Sequence, residues 1–270
     1  MLLLLFVLLL LLLSEAMTTA KTFRALPWVL AVCISSAHAQ DKKDEPRLTG
    51  LVPLEVVAGT EITLKFRGIK LDTATEIRFP GQPALKAEVK EKKKATLPTG
   101  LEVKDVGDTQ CEAMLKLPAD LPAGMFAVEL VLPIGTLKRE LRVVPADQLL
   151  EEKEPNNGFR EAQPLDLGKT LRGLIREDKD VDVFLFEARA KQKFAIEVFA
   201  ARGTSMLDPL LTIYDARGRI LKSSDDNDGR DPKLAFQASS DGKYMIAIQD
   251  AGDRGGPWHA YQLSVKEEGK

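Results

Sequence analysis

Two β-sandwich domains in tandem, behind a cleaved leader, make up the all-β class that the sequence predicts, and three observations predict it. Apolar residues recur at every second position in short runs, as in Ile62, Leu64 and Phe66 against Glu61, Thr63 and Lys65, the pattern of a strand with one buried and one wet face. Pro and Gly punctuate these runs at turn spacing, and no stretch sustains a helical period. The segment Glu152 to Asn157 (EKEPNN) then divides the β-rich sequence into two differently patterned halves, with Pro155 disfavouring a helix through Glu154.

Composition agrees with a globular chain of one large or two ordinary domains: 270 residues, 44% hydrophobic and 29% charged. A formal net charge of -2, with a pI ≈ 5.9, makes no electrostatic case for nucleic acid or an anionic membrane as partner. The one basic cluster, Lys86 to Lys94 (KAEVKEKKK), reads as a solvated hairpin.

From Met17 the chain reads as an export leader. Lys21 and Arg24 form the charged start, Ala25 to about Ser36 the apolar core, and Ala37-His38-Ala39 the cleavage site before Gln40. The Leu-rich run Leu2 to Leu13 has no positive charge ahead of it and is shorter than the ~20 residues of a membrane span. Met17 is therefore expected as the true start, with the first 16 residues an upstream misreading. Bulky Val32 argues against lipoprotein processing at Cys33. Cleavage removes residues 1–39, leaves 40–46 as a short linker, and delivers a secreted or periplasmic product with no stable membrane insertion. Cys111 then remains without a partner for an internal disulfide, in a strand alternation that suits a buried free thiol.

The first domain is expected over 47–145, with strand runs Leu48–Leu51, Glu61–Phe66, Glu76–Phe79, Gln110–Leu117, Met125–Leu132 and Thr136–Val144. The turn Asp120 to Gly124 leads into Phe126, Val128 and Leu130, each able to enter a core, which is the build of an immunoglobulin-like sandwich. Gly50, Leu51, Pro53, then Ala58 to Leu64, Gly68 and Glu76 to Phe79 resemble the opening of the IPT/TIG type of immunoglobulin-like domain. That resemblance implies a spacer or binding module and carries no catalytic residue.

An acidic linker is expected over 146–157, and a second domain over 158–268. An acidic corner, Glu177 to Asp182, turns into Val183 to Phe186. Phe194, Ile196 and Val198 alternate next, followed by Leu210–Tyr214, Ile220–Leu221, Tyr244–Ile248 and Tyr261–Val265. Tyr244, after Asp241-Gly242, is placed to tie its hydroxyl to nearby backbone. In the linker, Glu152, Glu154 and Asn156 would present three oxygen-bearing side chains on one edge of an extended segment, a hard-cation site. A Pro-Asn turn with solvated carboxylates suits the same residues.

Glu154, Pro155, Asn156 and Asn157, then Ala162, Gly173, Asp180, Asp182 and Phe184, then Asp208, Pro209 and Leu211, Asp215 and Gly218, Asp225 and Asp226, and finally Asp241, Gly242, Tyr244 and Tyr261 resemble, in order and spacing, the bacterial pre-peptidase C-terminal domain. The resemblance covers about 152–266. It implies a jelly-roll-like sandwich of secreted proteins, often attached to extracellular peptidases and not itself catalytic. Relatives in bacterial collagenases bind calcium, and the resemblance carries that role to Glu152, Glu154, Asn156 and Asn157 with Asp180 and Asp182, Asp178 being an alternative by a shift in register. A second acidic run, Asp225 to Asp231, fails as an EF-hand, because aligning Gly229 with the loop glycine leaves Ser224 at the first ligand position and Ala235 at the last. It reads as a solvated hairpin tip.

After leader cleavage His259 is the one histidine, and no Gly-x-Ser-x-Gly elbow, metalloprotease helix or phosphate loop is present. A hydrolase would need His259 as base with Asp250 or Asp253 behind it, or a pair of carboxylates without an aromatic groove. The expectation is no enzyme. Two readings follow: a secreted binding or scaffold protein acting on an extracellular polymer or protein, or an accessory module beside a separate extracellular peptidase or glycan hydrolase. Trp258, in a Gly-Gly-Pro-Trp turn, is the first of the expected ligand-binding residues, with His259, Tyr261 and Tyr214 beside it, although strand alternation would at least half-bury Tyr214 and Tyr261.

Overall fold

A computed structural model describes residues 45–98 and 100–269, so the expectations for the leader and the start site lie outside the described residues. The first half contains β1 (Arg47–Val52), β2 (Glu55–Val57), β3 (Glu61–Ile69), β4 (Glu76–Arg78), β5 (Lys86–Glu88), β6 (Glu91–Lys94), β7 (Thr109–Lys116), β8 (Gly124–Leu132) and β9 (Gly135–Val144). They form a four-stranded sheet, β1-β3-β7-β6, and a five-stranded sheet, β2-β9-β8-β4-β5. Alternation decides which residues enter between them: Leu64 and Phe66 from β3, Cys111 and Ala113 from β7, and Val128 and Leu130 from β8 are buried in one apolar core. Burial pushes the Cys111 thiol up to about 12, so it behaves as a small hydrophobe.

The lysine-rich run is not a hairpin. β5 pairs with β4 in one sheet and β6 with β7 in the other, and the chain crosses between them at two consecutive residues: Val89 N–H donates to Thr75 O at 2.9 Å and Lys90 N–H to Glu112 O at 3.1 Å. Buried Val89 is the pivot that holds this crossing.

The second half contains β10 (Leu149–Glu151), β11 (Gln163–Pro164), β12 (Thr170–Leu174), β13 (Val181–Ala188), β14 (Lys193–Phe199), β15 (Pro209–Asp215), β16 (Ile220–Ser224), β17 (Lys233–Gln237), β18 (Gly242–Asp250) and β19 (Ala260–Glu267). The sheets are β10-β12-β19-β14-β17 and β11-β13-β18-β15-β16. Phe186, Phe194, Phe236 and Tyr244 cluster in the core with ring centroids from 5.2 to 6.5 Å apart. The Tyr244 hydroxyl donates to Ser240 O at 2.8 Å, the backbone tie expected of it.

The segment expected as a linker is in part a strand. Leu149–Glu151 pairs in parallel with β12, and Leu150 packs on the second core, because two adjacent leucines have more to gain there than in water. The two sandwiches form one compact unit. Their junction has an apolar part, Val52, Val106, Met206 and Trp258, and a polar part around Glu55, whose side chain is wholly buried. Gln262 Nε2 donates to Glu55 Oε2, Arg172 Nε lies 3.4 Å from Glu55 Oε1, and Arg172 Nη1 donates to Glu55 O at 3.3 Å. Burial raises Glu55 to about 7, against the opposing pull of Arg172 and Gln262.

Candidate metal centre

The site is assembled where three strands end together. Glu152 follows β10 directly. Its N–H donates to Arg172 O at 3.0 Å, and its Oε2 accepts the Leu174 N–H at 2.7 Å, so the carboxylate is laid along β12. The chain then passes through a cis Glu154–Pro155 peptide into Asn156, whose carbonyl accepts the Val183 N–H at 2.9 Å. That bond fastens the acidic segment to β13, which carries Asp182. Ligand oxygens of Glu152, Glu154 and Asp182 all lie within 4.8 Å of one another.

Of the other predicted residues, Asn156 lines the same place, and Asp180 lies outside the three-carboxylate group but close enough for its charge to act on Asp182. The Asn156 side chain is fully buried, and with its NH2 turned inward it reaches Glu154 Oε2 at 2.8 Å, Asp182 Oδ1 at 3.2 Å and Asn157 Oδ1 at 3.2 Å. Asp180 is buried at 6% exposure. Its Oδ2 accepts the Arg176 N–H at 2.7 Å, while its Oδ1 is buried without a hydrogen-bond partner. Asp178, the alternative by register, is spent elsewhere, accepting the Gly255 N–H at 3.1 Å.

Electrostatically the cluster is under load. Burial, followed by the neighbouring Glu152 charge, holds the Asp182 carboxyl well above the usual carboxylate range. Burial raises Glu152 too, against the Leu174 N–H and Arg176. The Tyr261 hydroxyl donates to Asp182 Oδ2 at 2.5 Å and fixes its orientation. Gly173 makes that bond possible, since a Cβ there would run into the Tyr261 ring. A glycine inside a strand is the sequence signal for such a close approach. Arg176 was not anticipated. Its Nε is 3.0 Å from Glu154 Oε1 and 4.0 Å from Glu152 Oε1.

The aromatic expectations need correction. Trp258 is 6% exposed: Met206 of its own sandwich donates its N–H to Trp258 O at 2.8 Å, while Val52 and Val106 of the first sandwich pack in the same apolar cluster and Arg67 lies 5.9 Å from the ring centroid. Burying an indole at such a junction contributes on the order of 3 kcal/mol, and it leaves no ring face for a ligand. Tyr261 is fully buried beneath the acidic cluster. Tyr214 is half-buried, its ring edge-on to Phe159 at 5.0 Å. His259 is buried, and neither ring nitrogen has a hydrogen-bond partner.

The second acidic run is exposed from Asp225 to Arg230, as a solvated tip would be, but not at its last residue. Asp231 is wholly buried and accepts the N–H groups of Ala200, Ala201 and Arg202 at 3.1, 2.7 and 3.2 Å, with Arg202 Nε at 2.8 Å.

Fold and site together define a tandem β-sandwich protein with a part-buried acidic cluster that could take a metal ion. The chain is similar to the pre-peptidase C-terminal domain of a collagenase from Bacillus anthracis, 21% identical over 43% of this chain and 100% of that one, with a TM-score of 0.33. It is also similar to PliG, a periplasmic inhibitor of g-type lysozyme from Aeromonas hydrophila, 17% identical over 40% of this chain and 96% of that one, with a TM-score of 0.33. Among curated proteins it matches a "Probable subtilase-type serine protease" of Deinococcus radiodurans, 35% identical over 99 residues, which are 35% of this chain and 14% of the relative. The chain thus spans about one seventh of that relative's length. No family model matches. No helix among the described residues is long and apolar enough to cross a membrane.

Proposed function

We propose that the chain is a secreted, non-catalytic binding module whose second sandwich is held by a structural calcium ion, acting in adhesion or in targeting to an extracellular polymer or protein. The observation that carries the calcium reading is the orphaned oxygen of Asp180, buried beside carboxylates that burial already holds above their ordinary pKa. Glu152, Glu154 and Asp182 would hold the ion, with Asn157 and Asp180 completing the set and Asn156 joining it by turning its amide oxygen inward in place of the NH2. The donors are all hard oxygens from flexible side chains, which suits calcium's six to eight ligands and tolerant geometry better than a softer metal. When bound, calcium supplies the positive charge that buried carboxylates lack. The residues do the rest: Glu152 follows β10 in one sheet of the second sandwich and Asp182 belongs to β13 in the other, so holding them together would tie the two sheets at that end.

Calorimetry of the protein from Gln40 to Lys270, in calcium and in chelator, tests the ion. Calcium should raise the unfolding temperature; an identical transition in both would remove it. A pull-down of extracellular polymers and proteins under the same two conditions tests the binding role. A second reading has support of its own. The similarity to a subtilase-type protease favours an accessory module that serves a separate extracellular peptidase, and co-purification with such an enzyme would decide for it.

A further inference from the structure

We propose that Arg176 is a built-in competitor for the cation: its guanidinium occupies Glu154 and Glu152 in the ion-free protein and must release them when a divalent ion binds. The inference rests on the calcium reading and goes beyond it, since it concerns what the ion has to displace.

Three features of the geometry point this way. First, Arg176 forms ion pairs with two of the three carboxylates that would coordinate the metal, at 3.0 and 4.0 Å. A guanidinium and a hard cation draw on the same carboxylates and repel each other across them, so the two occupants compete. Among the described residues no other Arg or Lys forms an ion pair with Glu152, Glu154 or Asp182; the nearby Arg172 is committed to Glu151 and Glu55. Second, the backbone of Arg176 takes no part in the exchange. Its N–H is bonded to Asp180 Oδ2, and the turn around it is pinned by Gly256 N–H to Ile175 O at 2.9 Å and Lys179 N–H to Asp253 O at 3.0 Å. The side chain can therefore leave without unfolding the turn. Third, it has room to leave. The Arg176 side chain is half exposed and lines a cleft of about 350 Å³ that Val52, Pro53 and Lys65 also line.

A purely structural ion pair would make loss of Arg176 harmful in every state. A competitor makes the two states respond in opposite directions. The test is calcium titration calorimetry on the chelator-stripped wild type, Arg176→Gln and Arg176→Lys, with thermal unfolding of each in chelator. Arg176→Gln should bind calcium about 10-fold tighter, the scale of a part-exposed ion pair made with two carboxylates, and should melt at a lower temperature than wild type without calcium. Arg176→Lys should fall between. Equal or weaker binding by a folded Arg176→Gln overturns the proposal while leaving calcium in place. If Arg176→Gln does not fold in chelator, Arg176→Lys decides: tighter binding than wild type supports the proposal and equal binding overturns it. A folded wild type that takes up no calcium defeats the calcium reading itself, and the competitor with it.

Discussion

The two acidic runs of the second sandwich, so alike in composition, have opposite internal economies. Around Asp231 the buried charge is fully answered. Three backbone N–H groups and Arg202 converge on its carboxylate, and the remaining arms of Arg202 grip Asp228 and Glu197, each at 2.6 Å. Burial works against the Glu197 charge, yet the hydrogen bond from Arg202 holds it below the usual range. Around Asp182 the acids face one another: the backbone N–H groups of Leu174, Arg176 and Asn156 reach one oxygen each of Glu152, Asp180 and Glu154, but the side chains that answer them are one tyrosine, one amide and one half-exposed arginine. Counting Asp and Glu in a sequence therefore says little about cation binding. What matters is how many donors the fold has already aimed at them.

The sharpest way to break that comparison is to treat both aspartates alike. Asp231→Ala should cost about 3–5 kcal/mol, as removal of one partner from a buried, hydrogen-bonded pair does, with the same loss in calcium and in chelator on denaturant unfolding. Asp182→Asn should be neutral or mildly stabilising in chelator, where it removes a charge the fold resists. It should forfeit the calcium-dependent gain, about 2.7 kcal/mol at a hundredfold excess over Kd. If the two substitutions behave alike, the contrast is wrong.

Glu55 gives a smaller effect with its own sign. Its pKa is raised from 4.5 to about 7 in the fold, so its protonated form is the one the junction favours. Stability from this group is complete below about 4.5 and is lost as pH rises through 7. Glu55→Gln should flatten that slope in chelator and exceed wild type at pH 8 by about 2 kcal/mol, less than the full linkage value because the Arg172 contact goes with the charge. An unchanged slope would show that other groups carry it.

Much of the strand framework was legible because alternation is a local property: Leu64 and Phe66, or Phe194, Ile196 and Val198, are buried where period 2 put them. The acidic cluster was legible in part: alternation put Glu152 and Glu154 on one edge, and the resemblance to the pre-peptidase C-terminal domain pointed to Asp182. What could not be read depends on distance along the chain. Gln262 meets Glu55 across 207 residues, and Trp258 is buried only because the first sandwich closes over it. A Gly-Gly-Pro-Trp turn reads as exposed when its cover lies in another domain. Asp231 looked like part of a solvated tip for the same reason, since its donors at 200–202 come from a different turn.

The rim of the first sandwich bears on how many copies can crowd together. β6 closes one side of its sheet with the sequence Glu-Lys-Lys-Lys, all four side chains in water. A neighbour approaching that border to extend the sheet would have to strip hydration from three ammonium groups. Molecules anchored densely on a surface would thus be kept from zipping into fibrils, and changing the three lysines to threonine should let concentrated protein self-associate.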